Sequence, residues 1–178
     1  MKYNSQQLIT MKRLLFLIAI SALLCSCDKI TIEEENIANT CWDQSSEYHE
    51  YIEDGKKVKV DTAKTSYDGF SHRLWHFQDN DELVEYVKLN HIPGFYHTTQ
   101  YQVDLKKRTI VANTYSDSKS VVYKIKKFTD SELIIEYTTK INDDPNALIG
   151  MRFRKIPMPS DEWLSQYTNY NDLPEEYK

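Results

Sequence analysis

From Cys41 to Ile156 the chain sustains almost no apolar repeat of helical period; short runs of β-branched and aromatic residues alternate with polar ones instead. Turn signals interrupt these runs at intervals of roughly 8 to 12 residues, the spacing of an all-β sandwich or barrel. This pattern constrains the fold most, because alternate strand residues face opposite sides of a sheet. The runs are Cys41–Ile52, Lys57–Asp61, Ser71–Gln78, Glu82–Leu89, Phe95–Asp104, Arg108–Thr114, Ser120–Phe128, Glu132–Lys140 and Gly150–Ile156. Asp54-Gly55 is a hairpin signal, since both residues tolerate positive φ. Asp79-Asn80-Asp81, Leu105-Lys106-Lys107, Tyr115–Lys119 and Thr129-Asp130-Ser131 read as further turns, and Asn90–Gly94 and Asn142–Ala147 as proline-containing loops. Alternation places Arg73, Trp75 and Phe77 on one face and His72, Leu74 and His76 on the other. The expectation is an antiparallel meander. Only the tail departs from it: Ser160 is placed to cap a short helix, with Asp161 and Glu162 against its dipole and Trp163 and Tyr167 on one face.

The first residues carry a targeting signal. Met11-Lys12-Arg13 supplies positive charge, and Leu14–Leu24 is apolar except at Ser21. Eleven residues span about 16 Å as a helix, against roughly 30 Å of bilayer hydrocarbon, so this is a signal-peptide segment rather than a membrane span. Met11 is the expected translation start. Leu24-Cys25-Ser26-Cys27 resembles the bacterial lipobox, in which the cysteine after a small residue is acylated and becomes the new N-terminus; here that is Cys27. Three acyl chains, at about 0.8 kcal/mol per buried CH₂, anchor a protein firmly without a spanning helix. The membrane is therefore an expected partner and the outer membrane the expected location. Asp28 and Glu33-Glu34-Glu35 resemble acidic tracts that send some lipoproteins of Gram-negative bacteria to the cell surface, and read equally as a solvated tether.

Removing residues 1–26, which hold Lys2, Lys12 and Arg13 and no acid, takes the formal net charge from −5 to −8 over the remaining 152 of 178 residues. Such an acidic domain is a poor partner for nucleic acid. The expected organisation is a signal peptide at 1–26, a lipidated tether at 27–39, one β domain at 40–156 and a tail at 157–178 packed against one end or side of it, as a monomer. With Cys27 acylated and Cys25 removed, Cys41 is the one remaining thiol, and its place beside Trp42 predicts a buried, inert side chain.

Thr40-Cys41-Trp42, Leu74–Asn80, Tyr101–Asp104, Thr109–Val111, Tyr123–Ile125, Thr129–Ile135 and Arg152–Ile156 together resemble the lipocalin-like lipoproteins of Gram-negative bacteria. The resemblance covers about residues 39–156 and implies a barrel of about eight to ten strands, sometimes hollow. An eight-stranded barrel is just wide enough to fill with side chains or to hold one small ligand. If hollow, it is expected to enclose a small apolar or amphipathic ligand against Trp42, Trp75, Phe77, Tyr101, Tyr123 and Tyr137. If filled, recognition of a glycan or protein falls to the exterior, through Tyr48, Tyr51, Tyr67, Tyr96, Tyr115, Tyr167 and Tyr170.

Catalytic and metal signatures do not emerge. His72 and His76 would lie about 13 Å apart along a strand, too far to share an ion. Asp79–Glu82 lacks the glycine and ligand spacing of a calcium loop. No phosphate loop, nucleophile elbow or H-E-x-x-H is present. Glu85 and Glu136 are expected as outward charges that blunt the sheet. No enzyme, cofactor or metal site is predicted. Asp61-Thr62-Ala63 resembles the acceptor tripeptide some Gram-negative anaerobes use for O-glycosylation, which makes Thr62 a candidate modification site in an expected loop.

Overall fold

A computed structural model of the chain describes residues 36–63, 72–89, 92–114 and 117–177. They form β1 (Thr40–Glu53), β2 (Lys56–Ala63), β3 (His72–Phe77), β4 (Glu82–Lys88), β5 (Phe95–Asp104), β6 (Thr109–Thr114), β7 (Asp117–Phe128), β8 (Glu132–Ile141) and β9 (Asp144–Ile156). After these come α1 (Asp161–Leu164), β10 (Thr168–Asn169) and two single 3-10 turns. Eight strands close into an antiparallel ring in the order β1-β3-β4-β5-β6-β7-β8-β9, with β9 returning to β1. Closure removes the sheet edges that an open meander would expose. The long β1 serves two partners on one side: Thr40–Asp43 pair with β3 and Ser46–Glu53 with β2.

The turns follow local chemistry. Asp54 (φ 50°) and Gly55 (φ 71°) are both left-handed, the requirement of the tightest hairpin turn between β1 and β2. The β8–β9 connection is shorter than the expected loop Asn142–Ala147. Strand pairing resumes at Asp144, opposite Ile141, and a register shift follows. Pro145 is exposed at this irregularity, where no ladder hydrogen bond is required of it.

At the end where β1 enters, the barrel is sealed. Trp42 is fully buried; its indole N–H donates to Thr40 Oγ1 at 2.7 Å, and that hydroxyl donates to the Ile37 carbonyl. Phe128 packs on the same indole, with ring centroids 5.9 Å apart. The tail as far as Tyr167 covers the outside of β3–β5. Ser160 Oγ accepts from Trp163 N–H, as a capping residue does, and Trp163 stacks on Tyr167 at 4.6 Å. Tyr167 is buried against Cys41, Leu74, Val84 and Tyr86. β10 then runs parallel to Phe95–Tyr96, and the later residues Tyr170 and Leu173 pack on Phe95 and Val87, whose alternation turns them inward.

Candidate functional site

The inner face of the barrel divides into two zones. The first is aromatic. Trp42, Trp75, Phe77, Tyr101 and Tyr123 form one buried cluster with Phe128 and Phe153, and Tyr137 packs on it from the side. Trp75 sits at its centre, 5.0 Å from the Phe153 ring, 5.2 Å from Tyr123 and 5.8 Å from Phe77. Phe77–Tyr101 and Tyr123–Tyr137 extend the network at 4.9 and 5.3 Å. The six residues expected to line a ligand chamber are thus brought together, but Trp42, Phe77 and Tyr123 have 0% of their surface accessible and Trp75 has 1%. A side chain with no surface within reach of a water-sized sphere borders no void that could hold a ligand atom. These four fill their part of the barrel.

The second zone lies farther from the entry of β1 and is polar. On β4, Glu85 is 2% exposed and stands in register with Trp75 on β3 and His97 on β5. Its Oε1 accepts from Trp75 Nε1–H at 3.1 Å and from Arg73 Nε–H at 3.0 Å. Arg73 also reaches Met151 Sδ at 3.2 Å with Nη1, which places the guanidinium inside the barrel, since Met151 belongs to the buried core. The outward position expected for Glu85 is therefore corrected. The cause is that β4 is apolar on both faces: Leu83 and Val87 point in, while Val84 and Tyr86 lie under the tail, so alternation alone could not assign the sole acid of the strand interior. Glu136 does face outward, but it is covered by Tyr48, whose hydroxyl donates to it, and paired with Lys126 Nζ at 3.3 Å.

Gln44 faces inward opposite Phe153, and a β-bulge between Gln44 and Ser46 brings two more polar groups inward. Beyond it the parity of β1 inverts, so Glu47 and His49 align with the core residues Met151 and Ile149. Gln44 Nε2–H donates to Glu47 Oε2 at 2.9 Å, and Glu47 Oε1 lies 2.5 Å from His49 Nε2. Because the amide nitrogen is committed to a carboxylate, the amide cannot be reversed. Gln44 Oε1 is then buried with no donor among the described residues. Farther along the same face the surface opens: His49 is 35% exposed, and on β2, opposite His49 and Glu47, Val60 is 43% exposed and Thr62 is exposed. Tyr170 of the tail lies against His97 and Phe95.

The remaining expected residues fall as follows. Thr62 lies in β2 rather than in a loop, because β2 runs on to Ala63 beside Ser46. Cys41 is buried, and burial pushes its thiol up to about 12. Cys27, Tyr67 and Tyr115 lie outside the described residues. The exterior tyrosines are mostly consumed by the fold: Tyr48 and Tyr167 are buried, Tyr96 packs on Tyr86, and Tyr51 is half-buried on the inward side of β1. His72 and His76 sit on the outer face. His72 bonds to the Tyr167 hydroxyl, and burial lowers the pKa of both imidazoles. Among the described residues no group of three or more His, Cys, Asp or Glu side chains is close enough together to hold a metal ion.

Fold and inner face define a class: a closed, eight-stranded, antiparallel β-barrel in up-and-down order, an architecture compatible with holding one small ligand. Compared with protein-family models, curated proteins and solved structures, the chain matches none.

Proposed function

We propose that the protein is an envelope lipoprotein of lipocalin-like type, anchored through acylated Cys27, whose barrel takes a small amphipathic ligand at the end remote from the chain entry. The observation that carries this reading is the change in the inner face. A barrel that served only as a rigid body would gain most from an apolar interior throughout, because a buried ion pair is often no more stabilising than apolar residues of the same volume. Here the interior beyond Trp75 instead holds Gln44, Glu47, Arg73 and Glu85, and the same face becomes accessible at His49 and Val60. The ligand would rest its apolar part toward the partly exposed Tyr137 and turn its polar part to these groups, with Trp75 and Tyr123 as the dry layer beneath. The role is binding, not catalysis.

Native mass spectrometry of protein purified from its own host tests this. A retained small molecule, released on denaturation and lost when Arg73 and Glu85 are replaced together by leucine, supports the reading. Protein that carries acyl chains and nothing else favours the other reading, a filled barrel that acts through its exterior, which the complete burial of Trp42, Phe77 and Tyr123 would then serve.

A further inference from the structure

We infer that the C-terminal segment from Tyr170 is a cap on the remote mouth of the barrel, and that it lifts at Asn169 to admit and release the ligand while the tail before it stays docked. The inference rests on the ligand-binding reading above and concerns access to that site. It starts from the two sides on which the tail packs. As far as Tyr167 the tail lies outside, with Tyr167 buried against Cys41, Leu74, Val84 and Tyr86. Beyond β10 it has crossed the rim. Val87 stands two places beyond the inward Glu85 on β4, and Phe95 is its register partner on β5. Both are 1% exposed, and Leu173 is packed on them. The Tyr170 ring lies 5.3 Å from Phe95 and 6.4 Å from His97, which is in register with Glu85. Tyr170 and Leu173 therefore stand on the β4–β5 wall of the mouth, next to the polar zone, while His49 and Val60 leave the β1–β2 side accessible.

The two parts of the tail are fastened differently. Tyr167 bonds to His72, its ring meets Trp163 and Tyr86, and it lies so close over Gly94 that a Cβ there would be 3.0 Å from Cε1. Thr168 N–H then donates to the Gly94 carbonyl at 3.0 Å. After Asn169 the chain makes two single 3-10 turns, in which Leu173 is buried but Asn171, Asp172, Pro174, Glu175 and Glu176 are exposed. Short elements that bury little apolar surface open locally at a lower cost than the strands they cover. The eight-stranded ring closes through β9–β1 and β1–β3, without any residue of the tail. Lifting the cap therefore breaks no ladder of the ring. It uncovers Val87 and Phe95, an apolar wall that solvent does not reach while Leu173 is seated. Lids placed in this way gate entry and release.

The test uses the full chain carrying Val87→Cys, a small change of volume under the cap, with native Cys41 under the docked part as internal reference. Alkylation by N-ethylmaleimide is followed at each site by peptide mass. Because the thiolate reacts and burial pushes the Cys41 thiol up to about 12, the sites are compared by their response to urea and to a second substitution, not by raw rate. The expected result is that the introduced thiol reacts at a rate insensitive to low urea, while Cys41 reacts only as the barrel unfolds. Adding Leu173→Ser should speed the introduced thiol about tenfold and leave Cys41 unchanged. Hydrogen exchange of the unaltered chain checks the same opening without a new thiol: the Leu173 amide, bonded to the Tyr170 carbonyl, should exchange without dependence on low urea. A thiol and an amide that respond only in step with global unfolding, or a thiol indifferent to Leu173→Ser, overturn the cap and leave the ligand-binding reading standing. Host-purified Leu173→Ser should retain a several-fold smaller share of small molecule than the parent by native mass spectrometry, and equal retention overturns the access role. A parent protein that carries no small molecule overturns the access role and the ligand-binding reading together.

Discussion

Removing Glu85 tests the geometry of the inner face at its least expected point. Glu85→Ala leaves the Arg73 guanidinium, 19% exposed, without its partner on β4 and leaves the Trp75 indole N–H, at the centre of the aromatic cluster, without its acceptor. Breaking a buried ion pair from one side costs about 3–5 kcal/mol, and a buried donor left without an acceptor costs about 1–3 kcal/mol. The two do not add, because both bonds end on the same oxygen, and the partial exposure of Arg73 lets it turn toward water. The expected loss is about 3 kcal/mol, read as a shift of the urea midpoint with unchanged slope. Glu85→Gln keeps an oxygen acceptor for Trp75 and should lose about half as much. Replacing Arg73 and Glu85 together with leucine should restore most of the stability, because the desolvation cost of both charges disappears with them. That double variant should be stable yet fail to retain any ligand, which would separate the proposed binding role of the charges from their contribution to folding. A Glu85→Ala midpoint within about 0.5 kcal/mol of the parent would place the side chain in water, on the outer face, and refute the inner-face assignment.

Cys27→Ala should leave the protein unacylated by intact mass, and normal acylation of that variant would move the anchor to Cys25. Thr62→Ala should remove a sugar-sized increment from host-purified protein, while Ser118→Ala and Ser131→Ala change nothing, since Asp117-Ser118-Lys119 and Asp130-Ser131-Glu132 end in a charge; a native mass explained by acyl chains alone ends that proposal. Gly150→Ala would put a Cβ 2.0 Å from Tyr48 Cζ, so the ring must leave its place over the glycine and lose its bond to Glu136. The expected cost is about 1–3 kcal/mol by chemical denaturation, largely absent when Tyr48→Ala is already present. Lowering the pH from 7 to 5 should destabilise the fold through His72 and His76, whose folded pKa values lie below the ordinary 6.5 because of burial, with Lys88 adding to the effect at His72. The unfolded chain then binds the protons first, so stability falls as pH drops below about 6.5, and His72→Gln should flatten the melting curve's pH dependence there.

The class of fold was legible because its signals are local. Asp54-Gly55 has positive φ at both positions, and Asp79–Asp81, Leu105–Lys107 and Thr129–Ser131 each fall between strands that neighbour one another in the ring. The split of β3 into an inward Arg73-Trp75-Phe77 face and an outward His72-Leu74-His76 face followed from alternation alone. What failed was local too. Tyr96 and Tyr167 looked like a recognition surface, because an expected tail packed on or beside the barrel does not say which strands it will cover. Gly150 does not announce that Tyr48 needs its missing Cβ.

The polar end of the barrel was hidden for a different reason. Counted by simple alternation from Trp42, the inward residues of β1 are Gln44, Ser46, Tyr48 and Glu50, which reads as an ordinary amphipathic strand. One extra residue near Ser45 reverses this, so Glu47 and His49 turn in while Tyr48 and Glu50 turn out to meet Lys59, Arg152 and Glu136. A bulge has no reliable sequence signature, and its effect is to exchange the two faces of everything beyond it. The same shift brings an acid and an imidazole to the inner face on β1 that Glu85 and Arg73 approach from β4 and β3, two strands whose own alternation was ambiguous or read only as core. Aromatic residues could be assigned to the interior because both a filled and a hollow barrel need them there. Glu47 and His49 sit where the period-two count is broken, and for that reason only the assembled register exposes them.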